Sequence, residues 1–418
     1  MNLDFPPLSS HDSMSSKKAN LFEWVERLWN PAAIIAWTIA LSAVIAKSLV
    51  LSDRLTNVDR YLGAGRAWIQ GLPLYIYTPN KGFVYGPFSA VCYALASYWP
   101  AASDALWCLV SAALLLGGMW SMMTSGPFSQ IPPQRRGLVF LLVLPLALGN
   151  FDSAQANAFL IGLIMIAFAA GCTERWTIAA IAMAIAVHWK VYPIVAGMLL
   201  VLLSPRRFTW RFFLALVIVG LIPFLFQKPS YVIDQYRLWY DTRTADNRLQ
   251  YAINIAPWDL WFVLVRAAGI AISQPVYRVI QAIAGLAIAG FCLYGRVKHW
   301  PKERLFAGAF SLVCAWMTLL GPASELYTYL LVAPAVAFEL VTRLSGRSKA
   351  VWQFLVFGAY LFLLMAILRV AFIPRVQSAY LFSLQPVGAF LFFLYSLQNY
   401  FGNSSWQPAF VGAGTRES

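Results

Sequence analysis

A carboxylate, an ammonium and a pair of amides stand at the edges of apolar segments in this sequence. Asp59 falls within Asn57-Val58-Asp59-Arg60-Tyr61, nine residues beyond the first long apolar run. A carboxylate there can act as a general base, taking the proton of a sugar hydroxyl as that oxygen attacks an anomeric carbon. It can equally pair with Arg60 or Arg66 at a bilayer interface. His188 and Lys190 lie in His188-Trp189-Lys190, between two apolar half-helices. Charged groups at such depth are costly and mark functional positions by default. A lysine there neutralises a phosphate and a histidine donates to one. The plainer alternatives are a snorkelling lysine and a satisfied buried imidazole. Gln155 and Asn157 carry amides suited to sugar hydroxyls, or they cap the helix expected near Ala156. Asp152 beside them is a second carboxylate, or a helix-start residue favoured by the dipole.

Other polar groups carry weaker signals. Arg237, Asp241, Arg243, Asp246 and Arg248 crowd a long segment after Phe226 and read as a solvated loop. Glu325 and Tyr327 mark another junction. Lys47 and Arg369 lie near the ends of apolar runs and read as snorkelling. No Walker loop, dinucleotide fingerprint, zinc motif or nucleophile elbow is convincing. No cofactor is expected, and no ligand cluster requires a divalent metal.

These groups need a scaffold, and the composition says what kind. The 418 residues are 60% hydrophobic and 11% charged, against about 25% charged in an ordinary soluble domain. Continuous apolar runs recur from Pro31 to Tyr400, many near the ~20 residues that cross a hydrocarbon core. Backbone groups in lipid must pair within their own segment, so the runs are helices; their lack of alternation excludes a barrel. The net charge of +14 would suggest nucleic acid in a soluble protein. Here it reflects basic loops held in the cytoplasm, and no nucleic-acid partner is expected. Cys92, Cys108, Cys172, Cys292 and Cys314 all sit in apolar segments without metal-ligand spacing, so no disulfide framework is expected. The polar start, with Lys17 and Lys18, does not read as a cleavable signal peptide.

Five basic stretches, around residues 134–136, 174–175, 205–211, 296–304 and 343–349, are assigned to the cytoplasm. The opposite loops, 150–157, 188–193, 227–257, 321–325 and 372–378, then face the periplasm or an equivalent lumen. Parity follows: only one of the runs 83–99 and 104–123 can cross. The second is taken as the span. The first, broken by Gly86-Pro87 and ended by Pro100, is taken as re-entrant or interfacial, and 258–271 as an interface helix. The expectation is an all-α, polytopic bundle of about twelve spans, with periplasmic-side interface helices. A cytoplasmic tail (1–30) precedes a single transmembrane domain (31–400) with outer loops at 52–103 and 227–275. A second cytoplasmic tail (401–418) follows. Short spans bring polar junctions below the outer surface, where irregular backbone is tolerated only around a protein-lined or watery cavity. The first loop and the junctions 150–157 and 188–193 are expected to meet there.

Three stretches carry a family resemblance. Asp59-Arg60-Tyr61, then Gly71-Leu72-Pro73-Leu74-Tyr75 and Phe83-Val84-Tyr85-Gly86-Pro87, is similar to the first loop of glycosyltransferase family 87, a GT-C family. Gln155-Ala156-Asn157 resembles that family's Q-x-N junction. Ala186-Val187-His188-Trp189-Lys190-Val191-Tyr192-Pro193 resembles its K-x-x-P break, and the matching segment of the GPI alpha-mannosyltransferase catalytic subunit. The resemblance implies a GT-C-like fold and inverting transfer of a hexose, mannose by family default, from a polyprenyl-phosphate sugar. It implies Asp59 as the catalytic carboxylate and Lys190 near the donor phosphate. Many members carry a histidine pair in the late outer loop, where this chain reads Ser324-Glu325-Leu326-Tyr327-Thr328-Tyr329.

On this reading His188 and Arg66 assist Lys190 at the phosphate. Gln155, Asn157, Asp152 and Tyr61 bind the sugar; Glu325, Tyr327 and Asn247 stand on the acceptor side. The expected partners are the lipid-linked donor, a glycolipid or glycan acceptor and the bilayer. The expected location is a bacterial inner membrane, with the active site facing the periplasm or exterior. The rival reading is a transporter or flippase of lipid-linked sugars, which also uses broken helices and midplane polar residues. No repeat relating the two halves is visible.

Overall fold

The computed structural model describes residues 10–50, 56–75, 82–244, 258–321, 324–344, 350–373 and 378–401. Within them the chain is helical, with no strand. The helices are α1 (Ser10–Val50), α2 (Asn57–Gln70), α3 (Pro87–Ala96), α4 (Pro100–Thr124), α5 (Arg136–Asp152) and α6 (Asn157–Cys172). Next come α7 (Trp176–Trp189), α8 (Ile194–Leu203), α9 (Pro205–Leu221), α10 (Pro229–Thr244), α11 (Leu260–Phe262) and α12 (Gln274–Val297). The last are α13 (Lys302–Leu319), α14 (Ala333–Leu344), α15 (Ala350–Phe372), α16 (Ala379–Phe382) and α17 (Leu384–Phe401).

Among the described residues, five stretches are long and apolar enough to cross a membrane: Glu26–Val50, Pro100–Thr124, Pro205–Leu225, Gln274–Val297 and Gln353–Phe372. This is a multi-pass membrane protein. The other expected crossings fall on shorter helices, such as α6, α7 and α8, so length and composition account for fewer than the expected twelve or so. Large apolar side chains left exposed, among them Ile34, Ile35 and Ile39 on α1 and Val217, Ile218 and Leu221 on α9, suit contact with lipid.

The centre is α6, whose residues are nearly all buried. It has no amphipathic stripe because protein surrounds it on every side. It meets α4 through glycine. A Cβ on Gly162 would stand 2.4 Å from the Leu114 carbonyl carbon, and one on Gly118 would stand 2.7 Å from the Gly162 oxygen. Small residues let membrane helices approach this closely. The contact of α1 with α5 is pinned along its length. Arg135 reaches Glu26 at 2.8 Å, Trp37 Nε1 donates to the Phe140 carbonyl at 3.0 Å, and Lys47 pairs with Asp152 at 2.7 Å.

Proline shapes the first loop as its sequence suggests. Pro87 opens α3 at its first turn and Pro100 opens α4. With ten residues, α3 is about 15 Å long, too short to cross. α2 is amphipathic and buries Val58, Tyr61, Leu62, Gly65 and Trp68. Gly71, at φ 69°, closes it in the left-handed conformation.

The segment before the first span is helical from Ser10. Two local expectations change. The interface helix expected over 258–271 is only a three-residue turn, capped by Asp259 Oδ1 on the Phe262 amide at 3.0 Å. It runs into a π turn and ends before Gly269, at φ 69°. Arg369 does not snorkel: it is 8% exposed, with its guanidinium over the rings of Phe382 (4.4 Å) and Trp258 (5.7 Å). Stacking on aromatic faces holds a weakly hydrated guanidinium where an ammonium would seek water.

Candidate active site

The site is built where the first loop meets two breaks between helices. At the first break the chain turns from α5 into α6. Ala154 adopts φ 50°, a left-handed conformation that costs a non-glycine residue about 1–2 kcal/mol. Two bonds hold it there: Trp107 Nε1 donates to the Ala154 carbonyl at 3.1 Å, and the Gln155 amide donates to the Asn150 carbonyl at 2.8 Å. The start of α2 docks on this turn, with the Asn57 side-chain amide donating to the Ser153 carbonyl at 2.9 Å.

That docking sets the place of Asp59, at the third position of α2. Its Oδ2 accepts from the Thr56 amide at 2.9 Å, so the carboxylate closes the helix end, as acidic residues do there. The Thr56 hydroxyl lies 3.3 Å from Asp59 Oδ2 and 2.9 Å from Asp104 Oδ1. With one proton it donates to one of the two at a time. The Asp59 side chain is exposed, on the opposite side of α2 from the buried Tyr61.

The second break follows α7. Lys190 leaves the helix in an extended conformation (φ −137°, ψ 139°), outside the spanning helices and half-buried. Its ammonium donates to Asn157 Oδ1 at 2.9 Å and stands over the rings of Tyr85 (5.6 Å) and Tyr192 (5.8 Å). Tyr85 Oη lies 2.7 Å from Tyr61 Oη, and Tyr75 donates to the Tyr85 carbonyl at 2.6 Å. One network therefore joins α2, the 83–87 stretch, the head of α6 and the 190–193 turn. The break is seated by Trp189, whose ring packs against Phe159 (4.5 Å), Trp107 (5.4 Å) and Tyr93 (5.6 Å). A Cβ on Gly86 would lie 3.0 Å from the His188 carbonyl oxygen, so glycine permits the approach of the first loop.

Burial, opposed by the field of Glu325 and helped by that of Arg243, holds the Lys190 ammonium down at about 8. The Tyr85 phenol is pushed up, first by burial. The Tyr61 phenol is also pushed up by burial, and by the neighbouring Tyr85 and Tyr93. Both phenols stay protonated; one donates to the other, which leaves one proton of the pair for a ligand. A cation on two aromatic faces, an amide and two phenols form a place for an anion with hydroxyl-bearing neighbours.

The expected residues divide. Asn157 is 1% exposed and holds Lys190 instead of capping α6. Gln155 is half-buried in the same turn. Tyr61 belongs to the network. Asn150 connects the 324–331 segment, donating to the Tyr327 carbonyl at 3.0 Å, and a Cβ on Gly149 would press on the Tyr327 ring. Glu325 heads the 3-10 turn Leu326–Leu331, and its field reaches Lys190, Tyr61 and Tyr85. His188 points elsewhere: its Nε2 bonds the Leu216 carbonyl on α9 at 2.9 Å, a satisfied imidazole. Asp152 is taken by Lys47. Arg66 and Asp59 both lie on the exposed face of α2, about 140° and about 160° around the helix from Tyr61, and among the described residues neither bonds the Lys190 network. Asn247 lies outside the described residues. Tyr85, Tyr192 and Arg243 had no role assigned from sequence; the Lys190-Val191-Tyr192 spacing was the only hint for Tyr192. Among the described residues, no group of three or more His, Cys, Asp or Glu stands together as a metal site would require.

Comparison with solved structures gives ArnT from Cupriavidus metallidurans in the apo state. It is 16% identical, over 87% of this chain and 77% of its own, with a TM-score of 0.40, too loose an overlay to assign a shared architecture. No curated protein matches the chain. The family model of glycosyltransferase family 87 matches residues 83–322, which hold Tyr85, Gln155, Asn157, Lys190 and Arg243. Asp59 precedes the matched region and Glu325 follows it. Because the match spans more than half of the 418 residues, the chain belongs to glycosyltransferase family 87 and is a glycosyltransferase.

Proposed function

We propose that the protein moves a hexose, mannose by family default, from a polyprenyl-phosphate sugar to a glycolipid or glycan acceptor. Transfer takes place on the non-cytoplasmic face of a bacterial inner membrane, in a GT-C-like bundle. Asp59 accepts the proton of the acceptor hydroxyl. That oxygen bonds to the anomeric carbon from the side opposite the phosphate. The bond from that carbon to the phosphate oxygen breaks, and its electron pair leaves with the lipid phosphate. Configuration inverts. Lys190 sits where charge grows on the leaving oxygen, and a preplaced cation lowers that barrier. Asn157 and Gln155, with the Tyr61 and Tyr85 phenols, face the sugar hydroxyls.

The observation that carries the reading is the Lys190 ammonium, held by Asn157 at 2.9 Å beside the Tyr85–Tyr61 pair of the same loop as Asp59. A lipid-linked donor suits such a cation, because its tail stays in the bilayer while its phosphate reaches an outer junction. Purified protein is given a polyprenyl-phosphate hexose and candidate acceptors, and sugar transfer is followed. Transfer abolished in folded D59N and K190M supports the reading. Movement of intact sugar-lipid across the bilayer without bond cleavage would support the transporter reading instead.

A further inference from the structure

α10 lies on the first loop through a ladder of contacts with helical spacing. Tyr231 donates to the Leu72 carbonyl at 2.7 Å, Gln235 Oε1 accepts from the Leu74 amide at 2.9 Å, and Trp239 Nε1 donates to the Val84 carbonyl at 3.3 Å. Each rung is four residues after the last, so the rungs share one face of the helix. The next position on that face is Arg243. It is exposed, and among the described residues it makes no hydrogen bond or ion pair. Trp239 is bonded to the residue before Tyr85, and Arg243 is four residues, about 6 Å, further along. Tyr85 is the ring beneath the Lys190 ammonium. The arginine on the other side of α10, Arg237, lies 3.6 Å from Asp234.

We propose that Arg243 is a second phosphate-binding residue, facing Lys190 across the lipid donor's phosphate and matched to the charge that appears there when the sugar leaves. This rests on the donor reading above and deepens it. Its electrostatic reach agrees with the geometry, since the field of Arg243 acts on both Lys190 and Tyr85. A polyprenyl-phosphate hexose is a phosphodiester with one negative charge. When the bond to the anomeric carbon breaks, the electron pair stays on the phosphate oxygen and the product is a monoester. Such a group carries about −1.5 to −2 at neutral pH. One cation balances the substrate, and a second is engaged only as the bond breaks. Binding that strengthens in the transition state raises kcat more than it lowers KM. Guanidinium, with its planar fork of donors, fits a phosphate with two free oxygens.

The test is steady-state kinetics of the purified full chain with polyprenyl-phosphate hexose, and inhibition by polyprenyl phosphate. R243Q is expected to lower kcat about tenfold or more, with donor KM changed less than about threefold. Inhibition by polyprenyl phosphate should weaken by more than donor KM changes. R243K should retain intermediate activity, and R237Q should behave as wild type. Equal thermal unfolding of the variants separates these effects from misfolding. An unchanged kcat in R243Q, while K190M is inactive, overturns this inference and leaves the donor reading standing. A wild-type protein that transfers no sugar from this donor overturns both.

Discussion

On the proposed mechanism, the Lys190 ammonium is expected to give the transfer reaction an alkaline limit. Lysine is charged below its pKa, and here burial has brought that pKa down to about 8. The protonated fraction of the free enzyme is then about 0.9 at pH 7 and about 0.1 at pH 9, a fall of roughly tenfold. A donor phosphate in place favours the charged form, so the limb belongs in kcat/KM, which reports the free enzyme, and is weaker in kcat. Asn157 tunes it. Its amide oxygen accepts from the ammonium at 2.9 Å and so favours the charged form; Asn157→Ala withdraws that support. A hydrogen bond to a charged group contributes about 1.5–3 kcal/mol, of which water entering the space restores part. The limb is therefore expected about one pH unit lower. Initial rates from pH 6.5 to 9.5, at limiting and at saturating donor, measure both. A kcat/KM profile flat through pH 9.5, or one that keeps its position in Asn157→Ala, would refute the role of this ammonium.

Other substitutions read other parts of the structure. Asp59→Asn keeps an oxygen for the Thr56 amide but cannot take a proton, so transfer should fall by about 10²–10⁴ with little change in thermal unfolding. Gly162→Ala puts a methyl 2.4 Å from the Leu114 carbonyl carbon; overpacking of this kind costs about 1–3 kcal/mol, read as a lower unfolding midpoint in detergent. Cysteine at the exposed Arg66 should react with an impermeant reagent from outside intact cells, and cysteine at Arg207 only after permeabilisation. The opposite pattern would reverse the proposed orientation.

Much of the scaffold was legible because lipid leaves a chain few options: apolar runs become helices, and Pro87 and Pro100 open two of them. The 188–193 break was visible as polar residues inside an apolar run. Where a polar side chain points was not. His188 and Lys190 are two residues apart, yet one bonds the backbone of α9 and the other Asn157. The difference lies in the backbone, which is helical at His188 and extended at Lys190. Asp152 and Lys47 are separated by 105 positions, a pairing no local pattern reveals. Arg243 was hidden for another reason. Its neighbours look like a charged loop, and only a helix through Pro229–Thr244 brings Tyr231, Gln235, Trp239 and Arg243 onto one line.

The bonds that seat α10 end on main-chain atoms. Gln227, Tyr231, Gln235 and Trp239 bond the backbone at positions 68, 72, 74 and 84. Trp68 also packs its ring on Tyr231 and Leu74 is buried, but at the other two positions the side chain is left outward: Leu72 is 50% exposed and Val84 41%. These outward residues can be exchanged without unseating α10, and under the proposed function such exchange is expected to change the shape offered to an acceptor. Tolerance to substitution should be high at 72 and 84 and low at Gln235 and Trp239, so drift in substrate choice can proceed on a fastening that stays the same.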